Sequence, residues 1–510
     1  MNKSFLLFSL AVLSLFSMNV FTSLAATLTL KPLGNPRPLR GPIFGVSTTA
    51  FYERLLDDPA KIAVLKNMSV GLDRFPGGSD ANFYNWRTGL IEIKEYPNSS
   101  SYVQFWVKAA ANIARGKPDG VSFEQYESFS RQIGSSIIIV PNLESSTIAD
   151  QVEWFKRLAG EGIVPQRIEL GNEFWVAMGN DPASLGRWPD EPGSMRVMKQ
   201  YLDALRPYLP ANAQVAVQAA AGAIGARKGR FGQRLRQWDE DLRPEPWFDA
   251  VTLHLYPRLR EVMGDPDAGI TAPTPGNAMA RLNAMMARVD EGVDGILRDI
   301  EGRLPGKEIW ITEWNTSGAN TVTERGNAIE PMSPAMEMLA TTRMALVQLR
   351  HPAMTASLLF MYSFRQKDPH AMFVPDGNGS YAPVPTAAAW RWLSEAANNS
   401  SSFQRLTQEG QRPVPGGGAK NESYLPIEAG LFESKERVTL LVENASPGAS
   451  SFAPSTLIED RRPSIIETLV VSSLCNLDKA PAKIESQDPA GAISIPPFSL
   501  TRIVWEKSRK

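Results

Sequence analysis

The chain of 510 residues contains a single cysteine, Cys475, and only three histidines. One cysteine excludes an internal disulfide and any centre built from several thiolates. The histidines His254, His351 and His370 are spread along the sequence without the spacing of a metal site. We therefore expect an enzyme or binding protein that uses no metal and no cofactor.

The sequence also lacks an excess of charge of either sign. It has 53 lysines and arginines against 54 aspartates and glutamates, a formal net charge of −1. No overall field would draw such a protein to nucleic acid or to an anionic membrane. Beyond the N-terminal region no segment is apolar enough to span a bilayer. We expect neither nucleic acid nor membrane as a partner.

The N-terminus has the layout of a secretory signal peptide. Lys3 supplies a positive start, residues 5–20 are mostly apolar, and Ser23-Leu24-Ala25 offers small residues for cleavage. The apolar core is too short for a membrane-spanning helix. The pattern predicts that residues 1–25 are removed and that the mature protein is secreted or periplasmic.

The region 41–398 alternates short apolar runs with stretches of helical periodicity. The runs are apolar on both faces, as buried parallel strands are. Eight strands with intervening helices predict an α/β fold, a (β/α)8 TIM barrel. An open doubly wound sheet is the alternative. Such a sheet would require a glycine-rich phosphate-binding turn after the first strand, and residues 43–50 contain no such turn. The predicted strands cover residues 43–49, 70–75, 136–141, 167–171, 214–220, 250–255, 308–312 and 355–362.

The last part of the chain has a different character. Residues 411–419 are rich in proline and glycine, and short β-type runs follow them. We expect residues 399–510 to form an appended antiparallel β-sandwich. Residues 27–31 alternate like a strand, so the segment 26–40 should join that sandwich.

Two apolar strand-like runs break off at a carboxylate: Arg167-Ile-Glu-Leu-Gly-Asn-Glu173 and Glu308-Ile-Trp-Ile-Thr-Glu-Trp-Asn315. A single glutamate at a strand end is as readily a surface residue as a functional one. A pair of carboxyl groups is the minimum for a glycosidase, because one protonates the leaving oxygen and the other attacks or activates water. The pair Glu173 and Glu313 therefore predicts hydrolysis of glycosidic bonds.

Other polar groups fall at the same ends of predicted strands, where barrel enzymes hold their reacting groups. Arg74 ends the second strand, and His254 and Tyr256 lie two residues apart at the end of the sixth, on one side of the strand. His254 could equally be a structural residue of the rim. Tryptophans after strand ends, Trp314 among them, suit either stacking on sugar rings or ordinary packing.

The motifs resemble those of clan A glycoside hydrolases, the "4/7" retaining barrels. Asn172-Glu173 after strand four and Thr312-Glu313-Trp-Asn-Thr-Ser317 after strand seven are similar to the acid/base and nucleophile motifs of the clan. Asp73-Arg-Phe-Pro-Gly-Gly78 with Asn82-Phe-Tyr-Asn-Trp86 resembles the second-strand motif of family 51 α-L-arabinofuranosidases. The Glu-Trp-Asn-Thr-Ser string is closer to family 39 β-xylosidases, and the heparanase-like family 79 shares the architecture.

This resemblance implies a role for each residue. Glu173 would be the general acid/base and Glu313 the nucleophile, and Asn172 would hydrogen-bond the sugar 2-hydroxyl. Tyr256 would orient the nucleophile, and Arg74 would help to keep it ionised. From their positions after strand ends, we also expect His254 and Trp314 to contribute to substrate binding.

The expected protein is a retaining glycoside hydrolase acting on poly- or oligosaccharides through a glycosyl-enzyme. Two alternatives remain open: a barrel that binds carbohydrate without catalysis, and a transglycosylase that uses the same residues but excludes water. In these families the residues of the loops determine which sugar is bound. The loop residues of this chain do not indicate a particular sugar.

Overall fold

The computed structural model describes residues 26–507, apart from 48–49, 52–54, 94–100, 117–118, 178–180, 221–228, 258, 260–271, 317–319, 324–325, 330–331, 361, 369, 419–420, 459–460, 472 and 490. The predicted signal peptide, residues 1–25, lies outside the described residues. Among the described helices, none is both long and apolar enough to cross a bilayer.

Strands are numbered along the chain. Three short strands come first: β1 (Ala26–Leu28), β2 (Leu30–Pro32) and β3 (Arg37–Pro38). Eight parallel strands then close into a barrel, which confirms the predicted (β/α)8 fold and excludes an open sheet. The barrel strands are β4 (Phe44–Ser47), β5 (Leu72–Phe75), β8 (Ser136–Ile139), β9 (Arg167–Glu169), β10 (Gln214–Gln218), β11 (Ala250–Leu255), β12 (Glu308–Trp314) and β15 (Met354–Phe360).

Short antiparallel hairpins lie in the loops of the barrel. They pair β6 (Tyr84–Asn85) with β7 (Leu90–Ile91), β13 (Asn320–Thr323) with β14 (Gly326–Ile329), and β16 (Phe373–Pro375) with β17 (Tyr381–Pro383).

Helices surround the barrel, and several of them have a side-chain N-cap. The helix that begins after Ser122 carries a capping box with Gln125 and ends at Gly134 in the left-handed conformation. The described α-helices are α1 (Pro59–Lys66), α2 (Ser101–Gly116), α3 (Phe123–Ile133), α4 (Ile148–Gly160), α5 (Pro182–Arg187), α6 (Glu191–Leu205), α7 (Gly229–Asp241), α8 (Ala278–Ala287), α9 (Asp294–Arg303), α10 (Pro334–Leu349) and α11 (Pro385–Asn398).

The side chains inside the barrel form an apolar layer, and a polar layer lies nearer the C-terminal ends of the strands. Leu72, Ile138, Ala216, Ala250, Trp310, Ala356 and Leu358 form a separate buried cluster contributed by barrel strands. Two residues further along β5 and β12, on the same side of each strand, come Arg74 and Thr312. The apolar layer thus supports a layer of polar side chains nearer the C-terminal ends of the strands.

The C-terminal region is a two-layer β-sandwich, as predicted. Its larger sheet has the order β2, β18 (Ser402–Gln408), β21 (Ile427–Glu433), β22 (Arg437–Asn444), β27 (Ser499–Glu506), β24 (Ile465–Val470) and β25 (Lys483–Ser486), with β3 beside β18. The smaller sheet joins β1, β23 (Ser450–Phe452) and β26 (Ile493–Ile495), and a hairpin pairs β19 (Val414–Pro415) with β20 (Ser423–Tyr424). The pairing is antiparallel throughout, except that β1 runs parallel to β23.

The sandwich packs against the barrel through α10, all of whose residues are buried. Within this contact Arg343 of α10 lies 2.6 Å from Glu443 of β22 and 3.1 Å from Asp290 of the barrel. Because these groups are out of water, each needs its partner to offset desolvation. The ion pairs tie the two domains together.

Candidate active site

Three charged side chains, one from each of β5, β9 and β12, meet at the C-terminal end of the barrel. Arg74 of β5 lies at the centre. Its Nε and Nη2 atoms donate to the two oxygens of Glu169 at 2.7 and 2.9 Å, and its Nη1 donates to Oε1 of Glu313 at 2.6 Å. Nη2 also donates to Oδ1 of Asn172 at 2.9 Å. The guanidinium is completely buried and joins three strand ends.

An irregularity in β12 places Glu313 in this group. Opposite β11, Leu253 pairs with Ile311 and His254 pairs with Glu313, so Thr312 is an extra residue. In a regular strand consecutive side chains point to opposite faces, and a bulge removes that constraint. As a result Thr312 reaches Glu169 at 3.2 Å while its neighbour Glu313 reaches Arg74.

The turn after β9 presents Glu173. Gly171 has a φ of +83°, and a Cβ there would lie 1.9 Å from the ring of Phe174, so a side chain cannot be accommodated. Glu173 itself has a φ of +51° and ψ of 44°, the left-handed region, which is uncommon for a residue other than glycine. Such local strain is typical of functional positions.

Phe174 anchors the same turn. Its ring stacks on Trp188 with centroids 3.6 Å apart, and its backbone nitrogen donates to Gln218 of β10 at 2.8 Å. Arg234 of α7 donates to the carbonyl oxygens of Phe174 and Trp175. These contacts offset the cost of the strained backbone and hold Glu173 in place.

His254 contacts both predicted catalytic carboxylates. Its Nδ1 lies 2.7 Å from Oε1 of Glu173 and 3.5 Å from Oε2 of Glu313, and its Nε2 lies 3.2 Å from the Thr312 hydroxyl. Burial would lower the pKa of His254, but the charge of Glu313 and the hydrogen bonds with Glu169 and Glu173 prevail and raise it to about 10. The ring therefore carries a positive charge at neutral pH.

Tyr256 completes the surroundings of Glu313. Its hydroxyl donates to Oε2 of Glu313 at 2.8 Å. Burial and the neighbouring carboxylate raise the pKa of Tyr256 well above its ordinary value. The phenol is thus a hydrogen-bond donor throughout the neutral pH range.

Glu173, His254 and Glu313 each place one ligand-type atom within 4.8 Å of the others. Three such atoms have the geometry for a cation. Nδ1 of His254, however, already lies within hydrogen-bonding distance of Oε1 of Glu173, at 2.7 Å. The arrangement suits proton transfer and nucleophilic attack better than metal binding.

The structure brings six of the seven predicted site residues together: Arg74, Asn172, Glu173, His254, Tyr256 and Glu313. Trp314 requires a correction. It is fully buried, its indole nitrogen donates to Ser357 at 2.8 Å, and its ring packs edge-on against Trp390 of α11. Trp314 follows Glu313 on the strand and points into the helix layer, so it does not contact substrate in this arrangement.

Two residues of the cluster were not predicted. Glu169 lies inside an apolar strand run, and Thr312 directly precedes the predicted nucleophile. A charged residue within a strand that is buried on both faces is the signal that could have revealed Glu169. No comparable signal distinguishes Thr312.

Asn172 has one group without a partner among the described residues. Its Oδ1 accepts from Arg74, and its Nδ2 is buried and makes no hydrogen bond. Asn82 holds the backbone beside it by donating to the Asn172 carbonyl at 2.9 Å. A fixed amide with a spare donor can bind a hydroxyl group next to the carboxylates.

No family model and no curated protein matches this sequence. Solved structures do share its fold. The family 51 arabinofuranosidase of Xanthomonas axonopodis pv. citri superposes with a TM-score of 0.62 at 14% identity, covering 94% of this chain and 100% of that one. An α-L-arabinofuranosidase of Thermotoga maritima, in an arabinose complex, gives 0.60 at 13% identity with the same coverage. A family 44 xyloglucanase of Paenibacillus polymyxa gives 0.60 at 12% identity, covering 95% and 100%.

Proposed function

We propose that the protein is an exported retaining glycoside hydrolase that cleaves O-glycosidic bonds of poly- or oligosaccharides. The observation that carries this proposal is the pair Glu173 and Glu313, whose carboxylate oxygens lie within 4.8 Å of each other at the C-terminal end of the barrel. Retaining enzymes hold their carboxyl groups about 5–5.5 Å apart, whereas inverting enzymes need roughly 6.5–9.5 Å to admit a water. The fold shared with arabinofuranosidases and a xyloglucanase adds support.

The surroundings of the two carboxylates favour different roles. Glu313 is almost buried and receives hydrogen bonds from Arg74 and Tyr256, one on each oxygen. A carboxylate whose two oxygens are both fixed by donors in this way suits the nucleophile. Glu173 is more exposed, with 19% of its side chain accessible, and contacts His254. That position suits a group that exchanges protons with the leaving oxygen and with water.

The reaction follows from these roles. In the first step Glu313 attacks the anomeric carbon, Glu173 donates its proton to the departing oxygen, and a glycosyl-enzyme forms. In the second step Glu173 takes a proton from water, the water oxygen attacks the anomeric carbon, and Glu313 is released. The spare Nδ2 of Asn172 would donate to the hydroxyl beside the reacting carbon.

A panel of chromogenic glycosides tests the proposal. Aryl arabinofuranosides, xylosides, glucosides and glucuronides would be incubated with the mature protein and with Glu313→Gln prepared identically. We expect release of the aryl alcohol from at least one sugar class by the wild type only. Equal release by the variant, or binding of oligosaccharides without any turnover, would contradict the proposal, and the second result would favour a non-catalytic barrel.

A further inference from the structure

Glu169 is a charged residue in the barrel interior whose burial needs an explanation. It ends β9, four residues before Glu173, and its side chain is completely inaccessible to solvent. It therefore does not contact a sugar. An ionised carboxylate in such a place is costly unless paired, so its partners indicate what it does.

One set of hydrogen-bond partners connects Glu169 to Glu313, the proposed nucleophile. Both oxygens of Glu169 accept hydrogen bonds from Arg74, at 2.7 and 2.9 Å. This two-point contact fixes the plane of the guanidinium. Only Nη1 of Arg74 then faces Glu313, at 2.6 Å, while Nη2 also reaches Oδ1 of Asn172.

The other set of hydrogen-bond partners connects Glu169 to Glu173, the proposed acid/base. The Thr312 hydroxyl donates to Oε1 of Glu169 at 3.2 Å, so its oxygen is free to accept from Nε2 of His254, also at 3.2 Å. His254 in turn contacts Glu173 through Nδ1 at 2.7 Å. Nε2 of His254 itself lies 3.9 Å from Glu169.

We infer that Glu169 is a positioning residue for both proposed catalytic carboxylates, acting on Glu313 through Arg74 and on Glu173 through Thr312 and His254. The inference rests on the proposed function for the roles of Glu173 and Glu313, but the contacts of Glu169 do not depend on it. Glu169 supplies the negative charge that balances Arg74 and His254 behind the site. Without it Arg74 can turn both of its Nη atoms toward Glu313, and the imidazolium of His254 loses a counter-charge.

The substitution Glu169→Gln tests this inference, because it removes the charge with little change in shape. We expect kcat to fall about 100-fold through misplacement of the carboxylates, with a smaller change in KM since Glu169 does not contact the sugar. Glu443→Gln is the matched control. It removes a buried, arginine-paired carboxylate in the sandwich, and its kcat should equal that of the wild type.

A second measurement distinguishes positioning from mere stability. The three histidines can be followed by NMR with histidine-selective labelling, and His254→Gln identifies the resonance of His254. Groups facing the ring are Glu169, Glu173, Glu313 and Thr312. We expect Glu169→Gln to lower the titration midpoint of His254 by roughly one pH unit or more, and Glu443→Gln to leave it unchanged.

Thr312→Val provides a second variant should Glu169→Gln fail to fold. It cuts the hydroxyl link between Glu169 and His254 and leaves Arg74 paired, so His254 should titrate at lower pH than in the wild type. An unchanged His254 midpoint in the folded variants, or a wild-type kcat in Glu169→Gln, would overturn the inference. If the wild type hydrolyses no glycoside, the proposed function fails while the histidine titration still decides the role of Glu169.

Discussion

The hydroxyl of Tyr256 donates to Oε2 of Glu313 at 2.8 Å, on the oxygen that Arg74 leaves unoccupied. Each oxygen of this carboxylate is therefore held by a different donor from a different strand end. Such a carboxylate has a fixed plane and direction. This is the arrangement required of a group that must meet the anomeric carbon along one line of approach.

Tyr256→Phe should weaken catalysis without unfolding the protein. A hydrogen bond to a charged group contributes about 1.5–3 kcal/mol, so kcat/KM should fall roughly 10- to 100-fold. Steady-state kinetics on an aryl glycoside would measure the loss, with circular dichroism as the control for folding. A rate equal to that of the wild type would show that the phenol does not orient the nucleophile.

Glu313→Gly should abolish turnover of natural substrates, because it removes the nucleophile. Azide fits the space vacated by the carboxylate and can attack the anomeric carbon from the same side. We expect azide to restore part of the activity on substrates with good leaving groups and to yield a glycosyl azide of inverted configuration. Unimpaired hydrolysis by Glu313→Gly in the absence of azide would exclude this residue as the nucleophile.

Glu173→Ala should affect substrates according to their leaving groups. General acid catalysis contributes about 10²–10⁴-fold, so poor leaving groups should lose that much in rate. Aryl glycosides whose alcohols leave without protonation should still form the glycosyl-enzyme, visible as a burst in stopped-flow measurements. An equal loss for good and poor leaving groups would argue against Glu173 as the acid.

Arg343→Met should destabilise the protein without changing its chemistry. It leaves Glu443 without a partner in the buried contact between the domains, at a cost of about 3–5 kcal/mol, whereas Asp290 keeps its ion pair with Arg350. Chemical denaturation would measure the loss. Arg131→Met is the matched control, because that arginine forms an exposed helical pair with Glu127 and should change stability by less than about 1 kcal/mol. Equal effects of the two substitutions would show that the interface ion pairs contribute little.

The barrel could be predicted from sequence because its strands are apolar on both faces and alternate with helices. The predicted strand 250–255 coincides with β11. Residues 308–312 were predicted as a strand that stops before Glu313, whereas β12 continues to Trp314. The difference arises from the bulge at Thr312. The sequence pattern of alternating side chains does not show where a strand contains an extra residue, so the bulge could not be predicted.

The same bulge explains why Trp314 was assigned to substrate. A strand ending at Thr312 would have left Trp314 on a loop beside Glu313, but the strand continues and directs the indole toward Trp390. Glu169 was missed for a related reason. Arg74 reaches a carboxylate 95 residues away in sequence across the barrel interior, because β9 lies two strands from β5, and only the closed barrel shows this.

The stereochemistry of the first-formed product tests the proposed mechanism most directly. A substrate found in the glycoside panel would be hydrolysed in deuterated buffer, and proton NMR would record the anomeric signal before mutarotation. The short distance between Glu173 and Glu313 predicts that the product keeps the configuration of the substrate. A first product of inverted configuration would contradict the assignment of Glu313 as the nucleophile and the double-displacement mechanism with it.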